Sequence, residues 1–133
     1  QATTNPTAAA QYAAIAALTG PTEPITAMRE AFAKRRTLMV EGLRKIPGFN
    51  CPMPEGAFYV FPDVTGLIGK RAGERVLDND VTVATWLLED ARVAVVPGSP
   101  FGAPGFLRFS YAASEQQIEE GLRRITEAVS RLR

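Results

Sequence analysis

Phe106-Leu107-Arg108-Phe109-Ser110-Tyr111-Ala112, running through Ala113 into Ser114-Glu115-Gln116-Gln117, is the stretch on which the fold turns. Its first seven residues alternate. Leu107, Phe109 and Tyr111 fall on one apolar face, and Phe106, Arg108, Ser110 and Ala112 on the other, as side chains do on a strand. The period then changes. Ser114 with Gln117 three residues later makes a capping box. Ile118, Leu122, Ile125, Val129 and Leu132 continue at helical spacing. Glu119 and Glu120 near the start of this helix, and Arg131 and Arg133 at its end, suit the helix dipole. A strand passing directly into an amphipathic helix points to an α/β architecture.

Working upstream, Val93 to Val96 is a short apolar strand, and Pro97-Gly98-Ser99-Pro100-Phe101-Gly102 is a tight loop. Val81 to Ala91 reads as a helix capped by Asp80, burying Val83, Trp86 and Leu87. Val64 to Asn79 reads as a polar loop. Ala57 to Phe61 is aromatic and β-branched, a strand stopped by Pro62 and entered through the turn Pro54-Glu55-Gly56. Phe49 to Met53 is a further short strand. A long helix runs from about Pro24 to Ile46, with Ile25, Met28, Phe32, Met39, Leu43 and Ile46 on one stripe. Asn5-Pro6 opens the first helix, with Asn5 as its cap. Thr7 to Leu18 has almost no charge on any face, which predicts a buried helix and a neighbour this chain does not supply. The expected fold is a two-layer α/β sandwich, a small mixed sheet with helices on one face, plus the N-terminal helix and the long connecting helix.

Composition limits the chemistry. The 133 residues carry a net charge of +1, which gives no electrostatic case for nucleic acid or an anionic membrane. No apolar run approaches the roughly 20 residues of a membrane span. There is no histidine, so a Ser-His-Asp device and histidine metal sites are excluded within this chain. Cys51 is the only cysteine, so no internal disulfide forms, which suits a reducing compartment. Nothing near Cys51 in sequence activates it, and it reads as an incidental buried thiol. Gly66 to Arg71 lacks the spacing of a phosphate loop. Gln1 is not an initiator methionine, and the sequence is expected to begin in mid-protein.

Arg108 is the principal candidate site residue. Flanked by Phe106 and Phe109, its planar fork suits a carboxylate held through two parallel hydrogen bonds. Spacing alone favours the plainer alternative, an edge-strand arginine whose head reaches water. Pro54 to Tyr59 reads as a substrate-side turn or as a plain turn entering a core strand, and Pro97 to Gly102 as a loop closing over a site or as a rigid connector. Asn5 reads as a ligand contact or as a helix cap.

Four segments in order resemble the aspartate aminotransferase family of pyridoxal-phosphate enzymes. These are Thr3-Thr4-Asn5-Pro6-Thr7 with Ala10-Gln11-Tyr12-Ala13-Ala14, Pro54 to Pro62, Val93 to Gly102, and Phe106 to Ala112. The resemblance covers nearly the whole chain and implies a C-terminal portion of a fold type I, class I aminotransferase. On it, residues 1–20 end a large cofactor domain, 21–46 form an interdomain helix, and 47–133 form the small domain. It implies that Arg108 grips the substrate α-carboxylate and that Asn5 lies at the cofactor. It further implies aspartate transaminase activity with amino-acid and 2-oxo-acid substrates, a homodimer and a cytoplasmic location. The family's Schiff-base lysine, its pyridine-nitrogen aspartate and most of its phosphate cup lie upstream, so no catalytic residue is expected here. Lys34, Lys45 and Lys70 match no such motif, and Pro100 stands where the family more often has alanine. Two other readings are a non-enzymatic amino-acid-binding α/β module, with Arg108 holding a carboxylate for regulation, and an interaction domain docking through its Ala-rich helix.

Overall fold

The computed structural model describes residues 5–133. Thr3 and Thr4, part of the first quoted segment, lie outside the described residues. The chain divides into two compact units, one ending at Ala31 and the other Phe32–Arg133, with the boundary inside a helix.

The first unit holds α1 (Ala8–Thr19) and the start of α2 (Glu23–Arg44). Thr7, not Asn5, caps α1: its side chain accepts a hydrogen bond from the Ala10 amide at 3.3 Å. Thr7 is itself a good cap, and by taking that role it puts Pro6 before the cap and frees the Asn5 amide. None of the residues of α1 is buried, and Tyr12 and Leu18 are 75% and 86% exposed. The burial expected of an apolar helix therefore has no source within this unit.

The second unit is built around β5 (Leu107–Ser110). It is the central strand, paired antiparallel with β1 (Tyr59–Val60) on one side and β4 (Val96–Pro97) on the other. The register sets Val60 opposite Phe109, and Val96 opposite Arg108. Every strand pair among the described residues is antiparallel, where a mixed sheet is expected. The segments joining the paired strands bring each one back in the opposite direction, and no βαβ crossover links two neighbours. The α/β class holds. Alternation on β5 is as read from sequence: Leu107, Phe109 and Tyr111 are buried, whereas Arg108 is half-buried and Ser110 exposed.

The buried face of the sheet meets three helices. The later part of α2 contributes Met39, Val40 and Leu43. Next, α3 (Asp80–Asp90) contributes Val83, Ala84, Trp86 and Leu87, and α4 (Glu115–Ser130) contributes Ile118, Ile125, Ala128 and Val129. Gly42 lets α2 come close to α4, since a Cβ there would lie 2.3 Å from Leu122 Cδ1. The capping box of Ser114 and Gln117 is formed. Ile25 and Met28 of the predicted α2 stripe are exposed.

Further local readings need correction, among them the strand read at Phe49 to Met53, which holds only an isolated bridge at Asn50. Asp80 does not cap α3; Asn79 does, in a reciprocal box with Thr82. Asn79 holds the extended backbone a cap requires, which puts Asp80 on the first helical turn, where its carboxylate turns inward and is 1% exposed. The segment read as a polar loop also contains a short helical turn at Thr65–Leu67 and a hairpin, β2 (Arg71–Ala72) and β3 (Arg75–Val76). Gly73, at φ +62, makes its tight turn.

Candidate functional site

On the sheet face away from the helices, Tyr59, Phe61, Phe101 and Arg108 line an open recess of about 260 Å³. Each arrives there for a local reason. Arg108 projects from the central strand opposite to Leu107 and Phe109. Tyr59 lies on β1 with its side chain exposed, while its neighbour Val60 faces the core. Phe101 sits on a turn after β4, Ser99–Phe101, closed by Gly102 at φ +74.

The guanidinium carbon of Arg108 lies 5.5 Å from the Tyr59 ring centroid and 5.4 Å from that of Phe101. Those rings come from opposite sides of β5, one from β1 and one from beyond β4. Phe61 stacks on Phe106 at 5.3 Å, completing an aromatic lining. Among the described residues, Arg108 makes no ion pair and donates no hydrogen bond, whereas Arg123 does both with Glu120. Aromatic faces stabilise the cation but accept none of its N–H groups in the plane of the fork. The fork is thus left with its donors available to a planar anion.

Both turns bordering the recess are braced by buried or half-buried polar groups. On the β1 side, the Tyr111 hydroxyl donates to the Ala57 carbonyl at 2.9 Å, and Arg36 donates to the Pro54 carbonyl at 2.9 Å. Ala57 holds φ +64, a left-handed conformation that costs a residue with a Cβ about 1 kcal/mol. Strain of this kind gathers where surrounding structure dictates the backbone. On the β4 side, Asp80 accepts from both the amide and the hydroxyl of Ser99. Burial raises the Asp80 pKa, but hydrogen bonds from the Ser99 side chain and from the backbone of Ser99, Gly105 and Asp80 itself together outweigh it and hold the carboxyl below its ordinary value.

The other sequence candidates fall elsewhere. Asn5 is exposed at a bend before α1, in the first unit. Cys51 is 1% exposed, and burial pushes its thiol up to about 11, with Arg44 partly opposing the shift. Among the described residues no cluster of three or more potential metal ligands exists, and no helix is long and apolar enough to cross a membrane. Lys34 pairs with Glu115 at 2.7 Å, Lys45 is exposed, and no lysine lines the Arg108 recess. The recess around Arg108 offers one cation, three rings and no amine, so it supplies no group that would join pyridoxal phosphate as a Schiff base. Tyr59 and Phe101 lie in the two candidate turns read from sequence, Pro54 to Tyr59 and Pro97 to Gly102, but neither ring nor the brace from Asp80 to Ser99 is singled out there. The alternation of residues 57–61 hints at Tyr59. The pairing of Asp80 with a residue nineteen positions later has no local signal.

Comparison with known proteins fits this geometry. The model of the aminotransferase class I and II family matches residues 1–125. The chain is 50% identical over 123 residues to an aspartate aminotransferase of Geobacillus stearothermophilus, covering 92% of this chain and 30% of that protein. It is 48% identical over 126 residues to an aspartate/prephenate aminotransferase of Cereibacter sphaeroides, covering 94% of this chain and 32% of the relative. The crystal structure of the aspartate aminotransferase from Rhizobium meliloti superposes with a TM-score of 0.89 at 45% identity, over 92% of this chain and 31% of that one. The chain spans about a third of the length of the relatives it matches. A family match over nearly the whole sequence, relatives near half identity and a shared backbone place this chain in the class I and II aminotransferase family.

Proposed function

We propose that this chain is the substrate-clamping portion of a pyridoxal-phosphate-dependent aspartate transaminase, with Arg108 as the group that binds the α-carboxylate of the amino acid. The observation that carries the reading is a half-buried guanidinium in an open recess, bordered by two aromatic rings and, among the described residues, without an acid paired to it. A carboxylate entering the recess meets two parallel donors, and its bidentate grip fixes the plane of the acid group and with it the direction of the bond to Cα. Pyridoxal phosphate supplies the electron sink of transamination when it is bound. Its lysine would come from outside the present sequence, and Asn5 is the residue of this chain proposed to approach it. Release of Asn5 from the capping role supports that assignment.

The domain reading belongs to the same proposal. Residues 1–20 would end the cofactor domain, α2 would connect, and 47–133 would form the small domain. Its length of about 33 Å suits α2 to that role. Exposed Tyr12, Ile15 and Leu18 support packing of α1 against further protein, in keeping with a homodimer. A cytoplasmic location with amino-acid and 2-oxo-acid partners completes the reading.

The test is Arg108→Ala beside Arg108→Lys in the full-length protein. Cutting a desolvated charged pair costs roughly 2–5 kcal/mol, so Arg108→Ala is expected to lose at least about 30-fold in kcat/KM for aspartate. Arg108→Lys keeps the charge without the fork and falls between. Wild-type kinetics in Arg108→Ala would remove the assignment.

A further inference from the structure

Phe101 is 59% exposed, so its own burial does not hold its ring beside Arg108. Its turn is held at the other end. Ser99 opens the turn and is anchored through both its amide and its hydroxyl to the two carboxylate oxygens of Asp80. The turn closes on itself through the Phe101 amide to the Gly98 carbonyl at 2.8 Å and the Gly102 amide to the Ser99 carbonyl at 3.0 Å. Gly98 in turn donates to the Phe106 carbonyl at 2.8 Å, two residues before Arg108. Asp80 is itself fixed in place by its surroundings. It occupies the first turn of α3, whose Val83, Ala84, Trp86 and Leu87 are in the core, and the helix N-terminus favours its charge.

From this chain of contacts we infer that Asp80 is a positioning residue for the carboxylate clamp: through Ser99 it sets the turn that keeps the Phe101 ring against the Arg108 guanidinium. The inference deepens the proposed role of Arg108 and rests on it. Asp80 touches no substrate in this arrangement. Without the anchor, Ser99–Phe101 loses its fixed first residue, and the exposed ring is free to leave the guanidinium for solvent. Arg108 then samples more rotamers before it binds, and the carboxylate must order it at the moment of binding. The effect falls on affinity more than on turnover.

The experiment compares Asp80→Asn, Phe101→Ala, their double variant and Arg108→Ala in the full-length protein. It reads the calorimetric Kd for succinate, an unreactive dicarboxylate, together with kcat and KM for aspartate. Asp80→Asn and Phe101→Ala are each expected to raise Kd and KM about fivefold, the equivalent of about 1 kcal/mol for one cation–π contact, with kcat within about twofold. The double variant is expected to bind no more weakly than the weaker-binding single variant, because both changes remove the same contact. Unaltered succinate binding in Asp80→Asn, or effects that multiply in the double variant, would overturn the inference. Should Asp80→Asn fail to fold, Ser99→Ala, which keeps the amide half of the anchor, enters the same cycle with Phe101→Ala under the same two criteria. Loss of binding in Arg108→Ala with wild-type binding in Asp80→Asn overturns the Asp80 assignment alone; wild-type binding in Arg108→Ala overturns the clamp and this inference together.

Discussion

Tyr111→Phe isolates a single hydrogen bond. Tyr111 is 2% exposed, and its ring packs edge-on against Phe32 with centroids 6.1 Å apart. Phenylalanine keeps the ring, its buried area and that aromatic contact, so the several kcal/mol of a truncation to alanine do not apply. What disappears is the 2.9 Å bond from the hydroxyl to the Ala57 carbonyl. Ala57 is an exposed residue, so water can reach its carbonyl and replace part of the loss. The cost is therefore set near the net value of one hydrogen bond, about 1 kcal/mol, or about 3–5 °C in Tm for a domain of this size. Scanning calorimetry of the variant beside the parent measures it directly. A pH series supplies an independent readout. Burial raises the Tyr111 pKa above its ordinary 10.0, with Arg36 opposing the shift. A folded-state pKa above the unfolded one means the contribution is complete below pH 10 and is lost as pH rises through the folded value. The parent is thus expected to lose stability above pH 10 by a component that Tyr111→Phe lacks. A variant with the parent Tm and the parent alkaline slope refutes the brace; a loss beyond about 3 kcal/mol refutes the assumption that the ring stays in place.

Two further outcomes concern the core. Gly42→Ala puts a Cβ against Leu122 Cδ1, the movable end of a half-buried side chain, while gaining about 1 kcal/mol of helix propensity, so the net change in chemical denaturation is expected to stay within about 1 kcal/mol. Cys51, with its thiol pushed up to about 11, is expected to resist iodoacetamide at pH 8 in the folded chain and to react once the chain is unfolded. Mass spectrometry of the two samples distinguishes these states.

The readable parts of this chain were those governed by local rules. Leu107, Phe109 and Tyr111 alternate with Arg108, and that period fixes which face of β5 is buried whatever the partners are. Ser114 and Gln117 lie three apart and need nothing distant to form their box. The two capping errors have a common origin in competition between equivalent local signals. Asn5 and Thr7 can both cap α1, and Asn79 and Asp80 can both cap α3; in the second case the inward contact of Asp80 with Ser99 accompanies the choice. Strand direction was not legible, because periodicity reports a strand's faces and says nothing about its neighbours. For the same reason Arg108 stood out while its aromatic walls did not. Pairing Phe101 and Tyr59 with it depends on the order β1-β5-β4, a long-range property.

The strand order also separates what is fixed from what is adjustable. Arg108 rides the middle strand, gripped along both edges, so slippage there would drag the core residues Leu107 and Phe109 with it. The rings around it belong to an outer strand and to a surface turn, where a change of size or polarity disturbs little beyond itself. A fold laid out in this way keeps its central guanidinium constant while the rim of the recess drifts, and new surface chemistry can be acquired from the margin inward without rebuilding the centre.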